Sequence, residues 1–268
     1  MDRMKAEIYP GLHKNLTPAR RIMIGMISSV EPTCSTAVQP PRRFAGRLRS
    51  VDLAGPAGKL EAVVNEGAPE APFAALVCHP HPQGGGTLHN KVVYHAMKVL
   101  NNLAWGLNFP VLRFNFRGTG LSQGAYDGAL EADDVQAAMD WLENEYNRPL
   151  VVTGFSFGAA MAISACCGSA HDCMQTHNDV RALVALGLPT QSGSRKYEYP
   201  SLAQCALPKL FLSGADDQFA PPAQLEHVAA AAAGPKRLVL IPNGNHFFDG
   251  ELMPMQHSLA GWLKEQLQ

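Results

Sequence analysis

The chain has 268 residues, with 22 Lys and Arg against 23 Asp and Glu and a formal net charge of −1 at neutral pH. That length fits one large α/β domain or two small ones, the charge balance argues against a basic nucleic-acid-binding surface, and 46% hydrophobic residues argue against global disorder. Six cysteines, Cys34, Cys78, Cys166, Cys167, Cys173 and Cys205, form neither a C-x-x-C pair nor a regular framework, so the expectation is reduced thiols and a cytoplasmic address.

In chain order, residues 1–44 carry Pro10, Pro18, Pro32, Pro40 and Pro41 without sustained periodicity and read as an irregular N-terminal leader. The expected single folded domain runs over 45–268. Alternation over 47–53, a Gly55-Pro56-Ala57-Gly58 turn and the run 60–64 predict an antiparallel hairpin. Short apolar runs then follow at 73–78, 111–116, 150–153, 182–186, 209–213 and 237–241, and read as strands buried on both faces. Helical spacing appears at 92–103, 130–142, 159–166, 222–233 and 252–267. Alternating strands and helices predict a mainly parallel sheet covered on both faces. The uncharged stretch 150–170 is long enough to cross a bilayer, but Gly154, Ser156, Gly158 and Ser164 suit a buried strand, turn and helix, so no membrane span is expected.

Ligands of open parallel sheets bind beyond the carboxyl ends of the strands, so the loops after these runs are where chemistry belongs. G-x-S-x-G occurs twice. Gly120-Leu121-Ser122-Gln123-Gly124 lies several residues past a strand and no helix follows it. Gly154-Phe155-Ser156-Phe157-Gly158 directly follows a strand and opens a helix, the sharp turn on which a serine hydroxyl is exposed. Ser156 is therefore the candidate nucleophile.

A serine needs an imidazole to take its proton, and the imidazole needs an acceptor to fix its tautomer. Of the downstream histidines, His246 follows the strand 237–241 in a loop, whereas His227 and His257 fall in helices and His171 and His177 in a polar stretch. His246 is the candidate base. The acid is expected after the strand 209–213, where Asp216 and Asp217 are adjacent and both able to serve; Asp249 reads as surface.

Acyl transfer also needs two N–H donors for the developing oxyanion. Phe157 supplies one at the start of its helix. The loop His79-Pro80-His81-Pro82-Gln83 supplies the other from His81 or Gln83, since proline has no N–H; His81 is favoured. A His79/His81 metal pair with Cys78 lacks a third ligand at a metal-binding spacing, and no metal or cofactor is expected. Phe155, Phe157, Phe219 and Phe247 are candidate apolar lining.

Together, His79-Pro80-His81-Pro82, Gly85-Gly86-Thr87 with Asn90-Lys91, the 113–118 segment Arg113-Phe114-Asn115-Phe116-Arg117-Gly118, the Ser156 turn, Gly214-x-x-Asp217 and Gly244-Asn245-His246-Phe247-Phe248 resemble the α/β-hydrolase superfamily. The resemblance is to a compact bacterial branch akin to dienelactone hydrolases and serine aminopeptidase-like hydrolases, and covers about 45–268. It implies an α/β-hydrolase fold, in which the stretch from Leu186 to Leu207, roughly twenty residues, leaves room for a short cap with Tyr197 and Tyr199 but only a minimal lid. It selects Asp217 as the acid and makes the Arg117-Gly118 loop structural, which demotes Ser122. The implied activity is serine carboxylesterase chemistry on small esters in an open pocket. A peptidase or thioesterase with the same triad is the same-chemistry alternative, and a noncatalytic binding protein is the alternative of another class. The expected partner is a small-molecule ester, and the sequence leaves the oligomeric state open.

Overall fold

The computed structural model describes residues 47–168, 179–192 and 195–268. The leader and the 169–178 stretch with His171, His177 and Cys173 therefore lie outside the described residues, as does Cys34.

An eight-stranded sheet organises the described chain. Its strands are β1 (Leu48–Gly55), β2 (Gly58–Asn65), β3 (Ala74–Cys78), β4 (Val111–Phe114), β5 (Leu150–Phe155), β6 (Val180–Leu186), β9 (Lys209–Gly214) and β10 (Lys236–Ile241). Their order is β1-β2-β4-β3-β5-β6-β9-β10. β1 pairs antiparallel with β2 in register from Leu48↔Asn65 to Gly55↔Gly58, and β2 pairs antiparallel with β4. Every later pairing in the sheet is parallel. Among the described residues five α-helices cover it: α1 (Lys91–Leu100), α2 (Glu131–Tyr146), α3 (Phe157–Cys167), α4 (Pro222–Ala231) and α5 (Leu252–Gln266).

Because side chains alternate along a strand, the continuous apolar runs feed two cores. Val152, Leu183 and Phe211 join α2, α3 and α4 on one face, while Val151, Val184 and Leu210 join α1 and α5 on the other. α1 starts where the Asn90 side chain accepts the Val92 and Val93 N–H groups, and its apolar face buries Val92, Val93, Ala96 and Leu100. The 209–213 and 182–186 runs are buried as expected. The 237–241 run is not: β10 is the sheet edge, with Lys236 and Arg237 exposed and Leu238, Val239 and Leu240 half-buried.

Between β6 and β9 the described residues hold only the short antiparallel pair β7 (Gln191–Ser192) and β8 (Arg195–Lys196) and a 3-10 turn at Pro200–Ala203. Tyr199, which precedes that turn, donates its hydroxyl to the Pro189 carbonyl at 2.6 Å. Here the cysteine expectation is corrected. Cys167, at the end of α3, is disulfide-bonded to Cys205, just beyond the 3-10 turn, across 38 residues of sequence. Spacing along the chain carries no trace of this pairing, since packing the turn against α3 creates it. Cys78 and Cys166 are free thiols. No helix among the described residues is long and apolar enough to cross a membrane.

Candidate active site

The turn between β5 and α3 is set by steric necessity at both glycines. A Cβ at Gly154 would sit 2.3 Å from the Gly158 carbonyl oxygen, and one at Gly158 would sit 2.5 Å from the carbonyl oxygens of Cys78 and His79. Only hydrogens fit, so α3 starts hard against the end of β3. Ser156 between them has φ 55° and ψ −120°, a backbone state unfavourable for a residue with a Cβ. That strain lifts the hydroxyl to the floor of a cavity of about 770 Å³ that Ser156, His246 and Phe157 border.

The structure brings the three singled-out side chains into one line. Ser156 Oγ lies 2.9 Å from His246 Nε2, and His246 Nδ1 lies 2.8 and 3.0 Å from the two carboxylate oxygens of Asp217. Asp217 is buried and also accepts from Ser213 Oγ at 2.8 Å and from the Phe219 and Ala220 N–H groups at 2.8 and 3.2 Å. Burial acts to raise its pKa. The His246 hydrogen bond and charge, with Ser213 and Phe219, outweigh burial and hold the carboxyl below its ordinary value. A carboxylate can only accept, so His246 carries its proton on Nδ1 and presents a lone pair at Nε2 to the serine hydroxyl.

The other candidates are placed elsewhere. Asp216 is exposed, and Asp249 pairs with Lys91 and accepts from Asn245 at the surface. His227 is exposed on α4, and the exposed His257 lies against Trp105 at 4.9 Å. Ser122 is buried: its hydroxyl donates to the Asn115 carbonyl at 2.6 Å and accepts the Glu61 N–H at 2.9 Å, tying the loop after β4 to β2. The Arg117 guanidinium grips Asp134 at 2.7 Å on the first turn of α2 and fastens the same loop.

The loop after β3 is held atom by atom. The Phe116 N–H donates to His79 Nε2 at 3.0 Å, so the proton of this buried ring sits on Nδ1, which donates to the Pro80 carbonyl at 2.6 Å. Burial lowers the His79 pKa to about 4, which keeps the ring neutral. The His81 carbonyl accepts the Gly84 and Gly86 N–H groups, both at 3.0 Å. A Cβ on Gly86 would approach the Pro80 oxygen to 2.1 Å, so that glycine packs flat on the Pro80–His81 peptide. A peptide is planar, so fixing the Pro80 C=O also aims the His81 N–H. Pro80 and His81 border the cavity. The Gln83 N–H is engaged with His81 Nδ1 at 3.2 Å. His81 Nε2 lies 2.9 Å from the Tyr126 hydroxyl, so the His81 ring spans both sides of the loop.

Of the aromatic candidates, Phe157, Phe219 and Phe247 border the cavity, and Phe247 is 43% exposed at its mouth. Phe155 does not. It is fully buried in the sheet, with its ring 5.0 Å from His246, and is a support beneath the imidazole rather than lining. Sequence reasoning missed Ser213 and Tyr126, and gave His79 no part in aiming the loop. Ser213 closes a strand immediately before the acid, which is a usable signal; Tyr126 reaches His81 across 45 residues without one.

Fold and site together define an α/β serine hydrolase. Residues 84–259 match the sequence family described as "Alpha/beta hydrolase domain", and the chain belongs to that family. It is similar to an alpha-beta serine hydrolase homologue from Coxiella burnetii, at 31% identity over 80% of this chain and 96% of that one, with a TM-score of 0.69. It is likewise similar to an α/β serine hydrolase without lid from Xanthomonas campestris, at 28% identity over 81% and 94% of the two chains and a TM-score of 0.66. An uncharacterized protein of Rickettsia prowazekii is 37% identical over 167 residues, 61% of this chain, and the match spans 64% of that relative's length.

Proposed function

We propose that the chain is a serine carboxylesterase. The observation that carries this reading is the continuous hydrogen-bonded line from Ser156 Oγ through His246 to Asp217 at the floor of an accessible cavity. Ser156 Oγ attacks the ester carbonyl as His246 Nε2 takes the hydroxyl proton. The charge on the tetrahedral oxygen falls to the N–H groups of Phe157 and His81. Collapse breaks the bond to the alkoxide leaving group, which takes the proton from His246 and departs, leaving an acyl-serine. Water, deprotonated by the same imidazole, attacks the acyl-serine; the carboxylic acid leaves and Ser156 recovers its proton. Asp217 holds the tautomer and stabilises the imidazolium without itself taking the proton.

The test is fluorophosphonate labelling of wild type and Ser156→Ala, with hydrolysis rates on matched short-chain esters, amides and thioesters. The reading expects label and ester turnover in the wild type only, with esters cleaved fastest. Equal labelling of the variant overturns the nucleophile; faster amide or thioester turnover moves the assignment to a peptidase or thioesterase. As to location, the cytoplasm suits this protein if Cys167 and Cys205 are thiols there, whereas their disulfide favours an oxidising compartment. Alkylation of thiols at cell lysis decides between the two.

A further inference from the structure

The cavity extends well beyond what a short ester needs. One arm leaves Ser156 and follows α3, bordered by Phe157, Ala160, Met161 and Ser164 and then by Gly168. Steps of three and four residues put these on one face of the helix, while Ala159 and Ala162 are wholly buried on the other. From Phe157 to Cys167 the helix carries no charged side chain. A helix apolar all round is normally covered on every side. Here α3 packs on the sheet and on α2, and where Phe157, Ala160 and Met161 border the cavity the nucleophile's own helix offers it an apolar wall.

Tyr197, Tyr199 and Pro200 also border the cavity, on the segment that the disulfide ties to α3. The hydroxyl bond from Tyr199 to Pro189 fixes the position of that ring. The disulfide joins the end of the helix to the residues just past the 3-10 turn, so the two elements are linked covalently as well as by packing. Such a preformed, largely apolar cleft suits a rigidly held hydrocarbon. Its lining also carries polar side chains, among them Ser164, Ser192, Glu198 and Ser201, and Ser164 is exposed.

We propose that this arm holds the alkyl chain of a medium-chain ester, an inference that rests on the esterase reading above. The eight residues from Ser156 to Ser164 advance about 12 Å along the helix axis, and an extended chain advancing roughly 1.2 Å per bond covers that distance in about ten bonds. The best chain is therefore about eight to ten carbons long, because a longer one carries its methyl end past the exposed Ser164.

The experiment measures kcat/KM of the full-length protein on p-nitrophenyl esters from acetate to palmitate, and on alkyl acetates from ethyl to dodecyl. The first series places the chain in the acyl group and the second in the alcohol. Each buried methylene favours transition-state binding by up to about fourfold, so a rise of at least about tenfold from the shortest chain to one of about eight carbons, with a fall by about twelve carbons, is expected in one series. Ala160→Phe narrows the arm and is expected to cut the ratio of the eight-carbon to the shortest-chain ester in that series at least about tenfold, whereas Met161→Ala deepens it and shifts the optimum to longer chains. Thermal melts establish that both variants are folded. A wild type that hydrolyses the shortest-chain ester best in both series, or an unchanged chain-length ratio in both folded variants, overturns the inference and leaves the esterase reading standing. A wild type that turns over no ester and takes no fluorophosphonate overturns both.

Discussion

Substituting His79 by Gln and by Asn separates the two hydrogen bonds that its ring makes. The Asn amide nitrogen sits as far from Cβ as Nδ1 does, so His79→Asn keeps the donor to the Pro80 carbonyl and loses the acceptor for the Phe116 N–H. The longer Gln places its amide oxygen near the Nε2 position and does the reverse. In each variant one buried backbone group loses its partner, at a cost of about 1–3 kcal/mol, so urea melts at pH 7 should show similar losses of stability. Activity should not follow stability. Removing an oxyanion donor outright costs about 10²–10³ in kcat, and freeing the Pro80–His81 peptide to tilt should cost His79→Gln about 10–100-fold, with KM little changed. His79→Asn should stay within a few-fold of wild type. Equal kcat losses in the two variants, or full activity in His79→Gln, would refute the assignment of peptide aiming to Nδ1. The pH dependence gives a second check. The His79 pKa falls from 6.5 to about 4 on folding, so between these values the unfolded chain binds a proton that the native protein does not. The stability contribution is complete above pH 6.5 and is lost as pH falls towards 4, amounting to about 3 kcal/mol at 1.36 kcal/mol per unit. Either substitution should remove that slope from stability measured across this range.

Asp217→Asn should lower kcat on short esters by about 10³–10⁴-fold with the fold intact, since the amide no longer fixes the His246 tautomer, while Asp216→Asn should stay within about twofold. Reducing the Cys167–Cys205 disulfide, which closes a 38-residue separation, should lower stability by about 2–4 kcal/mol, read from urea melts with and without a phosphine reductant. Ser156→Gly should prove more stable than Ser156→Ala by about 1–2 kcal/mol in thermal melts, because only glycine tolerates φ 55° with ψ −120° without strain. At an unstrained position the order is the reverse.

The strands and helices were legible because almost every element here has an apolar pattern that matches its own period. The runs at 150–153 and 182–186 are buried on both faces because both helical layers cover the middle of the sheet. The run at 237–241 is as apolar after Arg237, yet it forms an edge, with Arg237 and the preceding Lys236 in solvent. Composition reports that a strand is apolar; neighbour order decides how many of its faces are covered, and that order comes from crossovers that no local pattern encodes. The Cys167–Cys205 disulfide escaped notice for a related reason. Neither cysteine sits in a recognisable spacing, and the partners meet only because the 3-10 turn at Pro200–Ala203 packs beside the end of α3.

The residues of the candidate site divide along the same physical line. Ser156 was visible because its constraint is local: two glycines are needed where a strand turns straight into a helix, and their contacts at 2.3 and 2.5 Å give the reason. His246 and Asp217 were reachable because strand ends point to one side of a parallel sheet, although only the resemblance separated Asp217 from Asp216. The loop after β3 was narrowed by proline's missing N–H to His81 and Gln83, with His81 favoured. The structure adds that the Gln83 N–H bonds the His81 ring, while the two carbonyls flanking the His81 N–H are pinned by His79 on one side and by Gly84 and Gly86 on the other. A donor aimed by bonds to its neighbours needs no reorganisation when charge appears on the substrate, and that is the property an oxyanion site requires.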